Sequence, residues 1–140
     1  MATDTGKSAL GGIDGNVAAA IGYPIGIIAI ICLIIDKENR FVKFHAVQSL
    51  LLHVAFIVVW IALIILFMIF GIIFGVAASA AGGSAGGGLA SLFGLLSFVI
   101  WIVFIVAYIG GLIMAAVKAY GGNMFRLPII GNMAAKWSGN

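Results

Sequence analysis

A chain of 140 residues of which 64% are hydrophobic and 8% charged lies outside the range of soluble domains, where about a quarter of residues are charged. Between Lys43 and Lys118 there is no Asp, Glu, Lys or Arg, and only His45 and His53 titrate near neutrality. This composition leaves no room for a soluble catalytic module. The net charge of +3 comes from basic residues at the ends of apolar runs, where lipid headgroups are a nearer anionic partner than nucleic acid.

Residues 1–16 are small and polar, with Asp4, Lys7 and Asp14, and read as a flexible leader. The first apolar run, 17–35, reaches about 28 Å at ~1.5 Å per residue, close to the ~30 Å hydrocarbon core. Asp36-Lys37-Glu38-Asn39-Arg40 follows it in place of a small-residue cleavage site, so the run reads as a retained span and not a signal peptide. Its Gly22-Tyr23-Pro24-Ile25-Gly26 stretch predicts a kink, because proline lacks a backbone donor. Cys32 lies in this run as the only cysteine, which excludes an internal disulfide.

No helix stop separates 39–49 from the second apolar run, 50–76, so 39–49 reads as an amphipathic helix entrance at the membrane surface. Residues 77–91, AASAAGGSAGGGLAS, read as a flexible glycine-rich hairpin loop. The third run, 92–117, closes on Lys118 and the stop Tyr120-Gly121-Gly122-Asn123. In 128–137, Pro128 suits the first turn of a short helix in which Ile129, Ile130, Met133 and Trp137 recur at helical spacing, too short to cross.

The expected fold is an all-α integral membrane protein, with three transmembrane helices plus a short C-terminal amphipathic interfacial helix, in a single membrane domain over 17–140. Three spans place Lys37, Arg40, Lys43, Lys118, Arg126 and Lys136 on one side and Lys7 alone on the other. The positive-inside rule then puts the N-terminus outside and the C-terminus in the cytoplasm, across a bacterial inner membrane.

Phe41, His45, Gln48 and Leu52 share one helical stripe, and Arg40 and Lys43 another. The basic face suits headgroups, while His45 and Gln48 suit hydrogen bonds to a neighbouring helix, or a ligand or partner site. His45 and His53 are separated by ~12 Å of rise and about 80° of azimuth and cannot meet on one metal atom. A single axial haem or pigment ligand is the alternative for either; no metal or cofactor is expected. Ser49 and His53 stand at i and i+4, but no acidic orienting group or oxyanion hole accompanies them, so no enzyme is expected. The spans carry no carboxylate of the kind that cation-coupled pumps use. Gly22 with Gly26, and Gly71 with Gly75, have the spacing for close helix packing.

The segments NRFVKFHAVQS (39–49), Lys118-Ala119-Tyr120-Gly121-Gly122 and Arg126-Leu127-Pro128-Ile129-Ile130-Gly131 resemble small prokaryotic membrane proteins of unassigned function. Those are grouped with the small polytopic subunit of the chloroplast Tic protein-import translocon. The resemblance covers about 22–137 and implies a helical protein associated with a protein-conducting complex. Its motifs suggest a cytoplasmic interaction patch of Arg40, Phe41, Phe44, His45, Gln48, Lys118, Tyr120, Arg126 and Pro128. The expected role is a non-enzymatic subunit that packs with other integral membrane proteins or itself, bathed in membrane lipids. The alternatives are an oligomeric channel or protein-translocation component, and a haem- or pigment-binding accessory subunit.

Overall fold

A computed structural model describes residues 5–139, and over these the chain is all-helical. Its elements are α1 (Gly15–Gly22), α2 (Gly26–Ile35), α3 (Arg40–Ala81), α4 (Gly83–Tyr120) and α5 (Ile130–Ser138). The chain divides into two units, one of Met1–Ala55 with Ile109–Asn140 and one of Phe56–Tyr108. Two helices, α3 and α4, are long and apolar enough to cross a membrane. Of the three expected spans, the first has a different structure.

In the first unit the 17–35 run is broken at Tyr23-Pro24-Ile25 into α1 and α2, which pack on each other. Gly22 lets the two helices approach, since a Cβ there would stand 3.5 Å from the Ala29 methyl. The outer ends of the pair meet again: a Cβ on Gly15, at the start of α1, would lie 3.1 Å from the Asn39 amide, just beyond the end of α2. The run is therefore a helical hairpin. At ~1.5 Å per residue its arms are about 12–15 Å deep, half of what a span needs. Proline and the flanking glycines, read from sequence as a kink, mark a reversal of direction.

The leader is correspondingly ordered over its described part. Ser8 donates its hydroxyl to Asp36 (2.6 Å), and the Ala9 amide donates to the same carboxylate (2.7 Å). The Asn39 amide donates to the carbonyls of Thr5 (2.9 Å) and Lys7 (3.2 Å). Lys7 pairs with Asp14 at 2.6 Å across an isolated bridge. These bonds put the leader on the same face of the unit as residues 36–39. A leader outside and a 36–40 loop inside, the arrangement three spans require, is incompatible with them.

Helix α3 starts where Asn39 accepts the Val42 amide (3.0 Å), an N-cap satisfying one of the first-turn donors. Its opening turns are largely enclosed: Phe41, Val42 and Phe44 to Ser49 are all buried, while Arg40 is exposed and Lys43 half-buried. One apolar cluster joins Ala18, Ala19 and Tyr23 with Ala29, Val42, Ala46, Ala115 and Ala119. A second joins Phe44 and Val47 to Ala134 and Ala135 of α5. The last helix docks through its small residues, leaving Ile129, Met133 and Trp137 exposed.

The start of that helix also departs from expectation. Pro128 lies before the first turn and not in it. Ile129 has φ 65 and ψ −62, and the Ile130 amide donates to the Pro128 carbonyl (2.7 Å), so the three residues form a classic γ-turn. A β-branched residue in this conformation is strained by roughly 1–3 kcal/mol. Gly131 permits the turn to fold back, since a Cβ there would lie 2.6 Å from the Arg126 Cα.

The second unit is a pair of antiparallel helical segments from α3 and α4. Ring contacts Phe56–Tyr108 (4.0 Å), Phe56–Phe104 (5.0 Å) and Phe74–Phe93 (5.1 Å) each straddle Gly82 almost symmetrically, which fixes the register. Gly71 faces the Phe93 ring, whereas Gly75 faces open space. Helix runs through most of the 77–91 stretch expected to be a loop. Only Gly82 falls outside the two helices, and the reversal is confined to Gly82 and Gly83 at φ 62 and 47. Large apolar side chains are exposed from Val54 to Val76 on α3 and from Leu92 to Val117 on α4.

Candidate functional site

The chemistry of the chain is concentrated where Tyr23 enters the first unit between α1 and α2. The Asn123 carbonyl can only accept, so His45 Nε2 carries the hydrogen and donates to it (3.1 Å). His45 Nδ1 then accepts the Tyr23 hydroxyl (2.9 Å). The Tyr23 oxygen in turn accepts from Gln48 Nε2 (2.7 Å), whose second hydrogen goes to the Phe125 carbonyl (3.1 Å). Gln48 Oε1 accepts the Leu127 amide (3.1 Å). Every donor meets an acceptor only when the imidazole is neutral and protonated at Nε2. Protonation at Nδ1 would turn its acceptor into a donor and leave the Tyr23 hydroxyl with nothing to receive it.

The rings of Phe41 and Phe44 close over His45, with centroids 4.6 and 5.0 Å away. Tyr23, Phe44, His45 and Gln48 are fully buried. Among the described residues no buried side-chain nitrogen or oxygen lacks a hydrogen-bond partner. In such a buried setting a fully paired network specifies one arrangement of the segments it joins. Here those are the α1–α2 turn, the start of α3 and the 123–127 segment.

A second layer adjoins it. Ser49 donates to the Gly22 carbonyl (2.8 Å), and His53 Nδ1 donates to the Ser49 carbonyl (2.8 Å). Ser49 and His53 therefore do not form a nucleophile–base pair. Gly26 lies against the His53 ring. At the rim, Asn16 donates to the Tyr120 carbonyl (2.8 Å), joining the start of α1 to the end of α4.

The structure thus divides the residues grouped from sequence as one patch. Phe41, Phe44, His45 and Gln48 are internal and closed to a partner, while Arg40, Lys118, Tyr120, Arg126 and Pro128 are exposed. Axial ligation by His45 conflicts with its geometry, because both ring nitrogens are engaged within the chain. Sequence reasoning missed Tyr23 and Asn123 as parts of this network, and it missed the separate tie of Ser8 to Asp36. A tyrosine inside an apolar run was the one visible signal. Among the described residues no group of three or more His, Cys, Asp or Glu could hold a metal ion.

An all-helical chain with two long apolar helices and a sealed, uncharged polar centre has the makings of a membrane protein in which polar groups serve packing. The chain belongs to the magnetosome magnetite crystal formation protein family, whose model matches residues 12–134. It is similar to a UPF0132 membrane protein of Methanocaldococcus jannaschii, 37% identical over 95% of this chain and 96% of the relative. A UPF0132 membrane protein of Archaeoglobus fulgidus is 34% identical over 89% of this chain and 95% of its own length. No solved structure matches. The resemblance to the chloroplast import subunit is overturned by these findings: the family is a different one, with archaeal relatives, and nothing links it to protein import.

Proposed function

We propose that the protein is a non-enzymatic subunit of a prokaryotic cytoplasmic membrane, which crosses the bilayer twice through α3 and α4 and inserts α1–α2 as a re-entrant hairpin. The observation carrying this reading is the sealed network on Tyr23, His45 and Gln48: its groups are spent on joining chain segments, with none left for catalysis. The exposed apolar stretches of 54–76 and 92–117 are long enough for the hydrocarbon core.

Orientation follows from charge. All seven Lys and Arg residues belong to the first unit, and Phe56–Tyr108 has no charged residue. The positive-inside rule then places both termini and the 36–39 loop in the cytoplasm, with Gly82 outside. The exposed Arg40, Lys118, Tyr120 and Arg126 are the surface offered to a cytoplasmic-side partner. Gly75, open on α3, suits close approach by another membrane helix, from a second copy or a different protein. The family's name speaks of magnetite crystal formation, and the archaeal relatives are named only as membrane proteins. The relatives' names support the membrane part of this reading, and the subunit role is assigned here from the network.

Gentle extraction followed by mass measurement of the intact assembly tests the subunit reading. A complex larger than one 14.5 kDa chain supports it. A monodisperse monomer under every mild condition, together with a turnover-competent activity, would overturn it.

A further inference from the structure

Beside the sealed network is an apolar slot of about 360 Å³, lined by Leu33 of α2, Val47, Leu50, Leu51 and Val54 of α3, and Trp137 of α5. From the fold and these linings we infer that this slot is a binding site for one acyl chain of an anionic phospholipid, with Lys43 and Lys136 holding the headgroup phosphate.

Three observations carry the assignment. First, at ~100° per residue Lys43, Val47, Leu50, Leu51 and Val54 fall within about 100° of arc on α3, so Lys43 heads the stripe that forms the slot wall. It stands about 6 Å of helix rise beyond Val47, and a lysine on a helix leans toward the N-terminus, away from the apolar end. Second, Lys136 shares an α5 stripe with Met133 and Trp137 and directly precedes Trp137, the aromatic wall of the slot, so a second ammonium is available beside it. Third, the polarity runs in the right direction. The lining reaches Val54, where the exposed apolar stretch of α3 begins, and toward the other end of the helix the same stripe continues to the half-buried Lys43.

The geometry of α5 agrees. This helix buries Gly131, Ala134 and Ala135 and exposes Met133 and Trp137, with Ile129 exposed in the turn before it, the reverse of a helix packed against a water-exposed protein. Ile129 is 79% exposed while held at positive φ. In the membrane placement proposed above, insertion of that side chain among acyl chains offsets the strain, and the exposed Trp137 indole suits the headgroup boundary.

A neutral phospholipid has the same chains but a zwitterionic headgroup, so charge separates the two. Each ammonium near an anionic headgroup is worth about 1 kcal/mol, or about fivefold in binding. The inference rests on the membrane placement above but not on the subunit role. The full-length protein in mild detergent is titrated with dioleoyl phosphatidylglycerol or dioleoyl phosphatidylcholine, and retained lipid is counted by native mass spectrometry. One phosphatidylglycerol is expected to be retained at least tenfold more strongly than phosphatidylcholine. Lys43→Gln and Lys136→Gln should each weaken its retention about fivefold, and Leu51→Trp should remove binding of both lipids. Lys118→Gln should leave it unchanged. Equal retention of the two lipids, or lysine variants that retain phosphatidylglycerol like the wild type, would overturn the site. If Leu51→Trp does not fold, the lysine variants decide alone.

Discussion

The hydroxyl of Ser8 donates to the carboxylate of Asp36 at 2.6 Å, tying the leader to the far end of α2. Two groups that close cannot lie on opposite sides of a bilayer. The contact makes the first apolar run a hairpin that returns to its starting face. Asp36→Ala should therefore free the leader: trypsin should cut after Lys7 several-fold faster than in the wild type. Removing the Lys7 partner by Asp14→Ala should have a smaller effect, since an exposed ion pair contributes little. Equal protection of the Asp36 variant and the wild type would break the link.

Gln48 satisfies the Tyr23 hydroxyl, the Phe125 carbonyl and the Leu127 amide at once. Gln48→Leu leaves at least two buried backbone groups unpaired, at ~1–3 kcal/mol each, and should lower stability by about 3 kcal/mol in a detergent melt. Tyr120→Phe, which alters only an exposed phenol, should change it by less than about 0.5 kcal/mol.

Tyr23 and Gln48 act through one hydrogen bond, so their replacements should not add. Tyr23→Phe alone should destabilise by about 1–3 kcal/mol, since it strands His45 Nδ1. In the double variant with Gln48→Leu the loss should fall short of the sum by more than about 0.5 kcal/mol. Additivity within error would mean that the network does not work as a unit.

His45 should be a neutral Nε2–H tautomer at pH 7. The ¹⁵N shifts of the selectively labelled ring report this directly, with Nδ1 in the unprotonated range. Acid that protonates Nδ1 must break the Tyr23 bond, so stability should decline as the imidazole gains its second proton. A doubly protonated ring at neutral pH in the folded protein would contradict the bonding pattern.

At the γ-turn, Ile129→Gly relieves the positive φ, and Gly131→Ala introduces a Cβ within 2.6 Å of the Arg126 backbone. The first should be neutral to stabilising by about 1 kcal/mol in detergent and the second destabilising by about 2 kcal/mol or more, both read from thermal midpoints. Similar effects of the two would argue against the turn.

Helicity and membrane character were legible because they depend on composition and run length. Runs 50–76 and 92–117 lie in the two helices that are long and apolar enough to cross a membrane. The first run was misread for a physical reason: nineteen apolar residues have the length of a span, and only the Tyr23-Pro24 pair inside it signals reversal. Tyr23 needs its hydroxyl partners from 22 and 25 positions away, and such contacts leave no periodic trace. The glycine stretch was misjudged because glycine disfavours helix in isolation, by about 1 kcal/mol against alanine, whereas aromatic contacts such as Phe74–Phe93 can hold the helices together up to Gly82. His45 and Gln48 were found by their polarity, but sequence could not tell an outward patch from an inward network. That distinction came from Asn123, Phe125 and Leu127, which supply backbone groups and so have no side-chain signature.

The account depends most on both chain ends lying on one side with two crossings between them. Fusions of a reporter that is active only outside the cytoplasm, placed before Met1, after Asn140 and within Gly82-Gly83, measure this directly. The predicted result is silence at both termini and activity at the glycine turn. Activity at the N-terminus with silence at the C-terminus would restore three spans and contradict the hairpin.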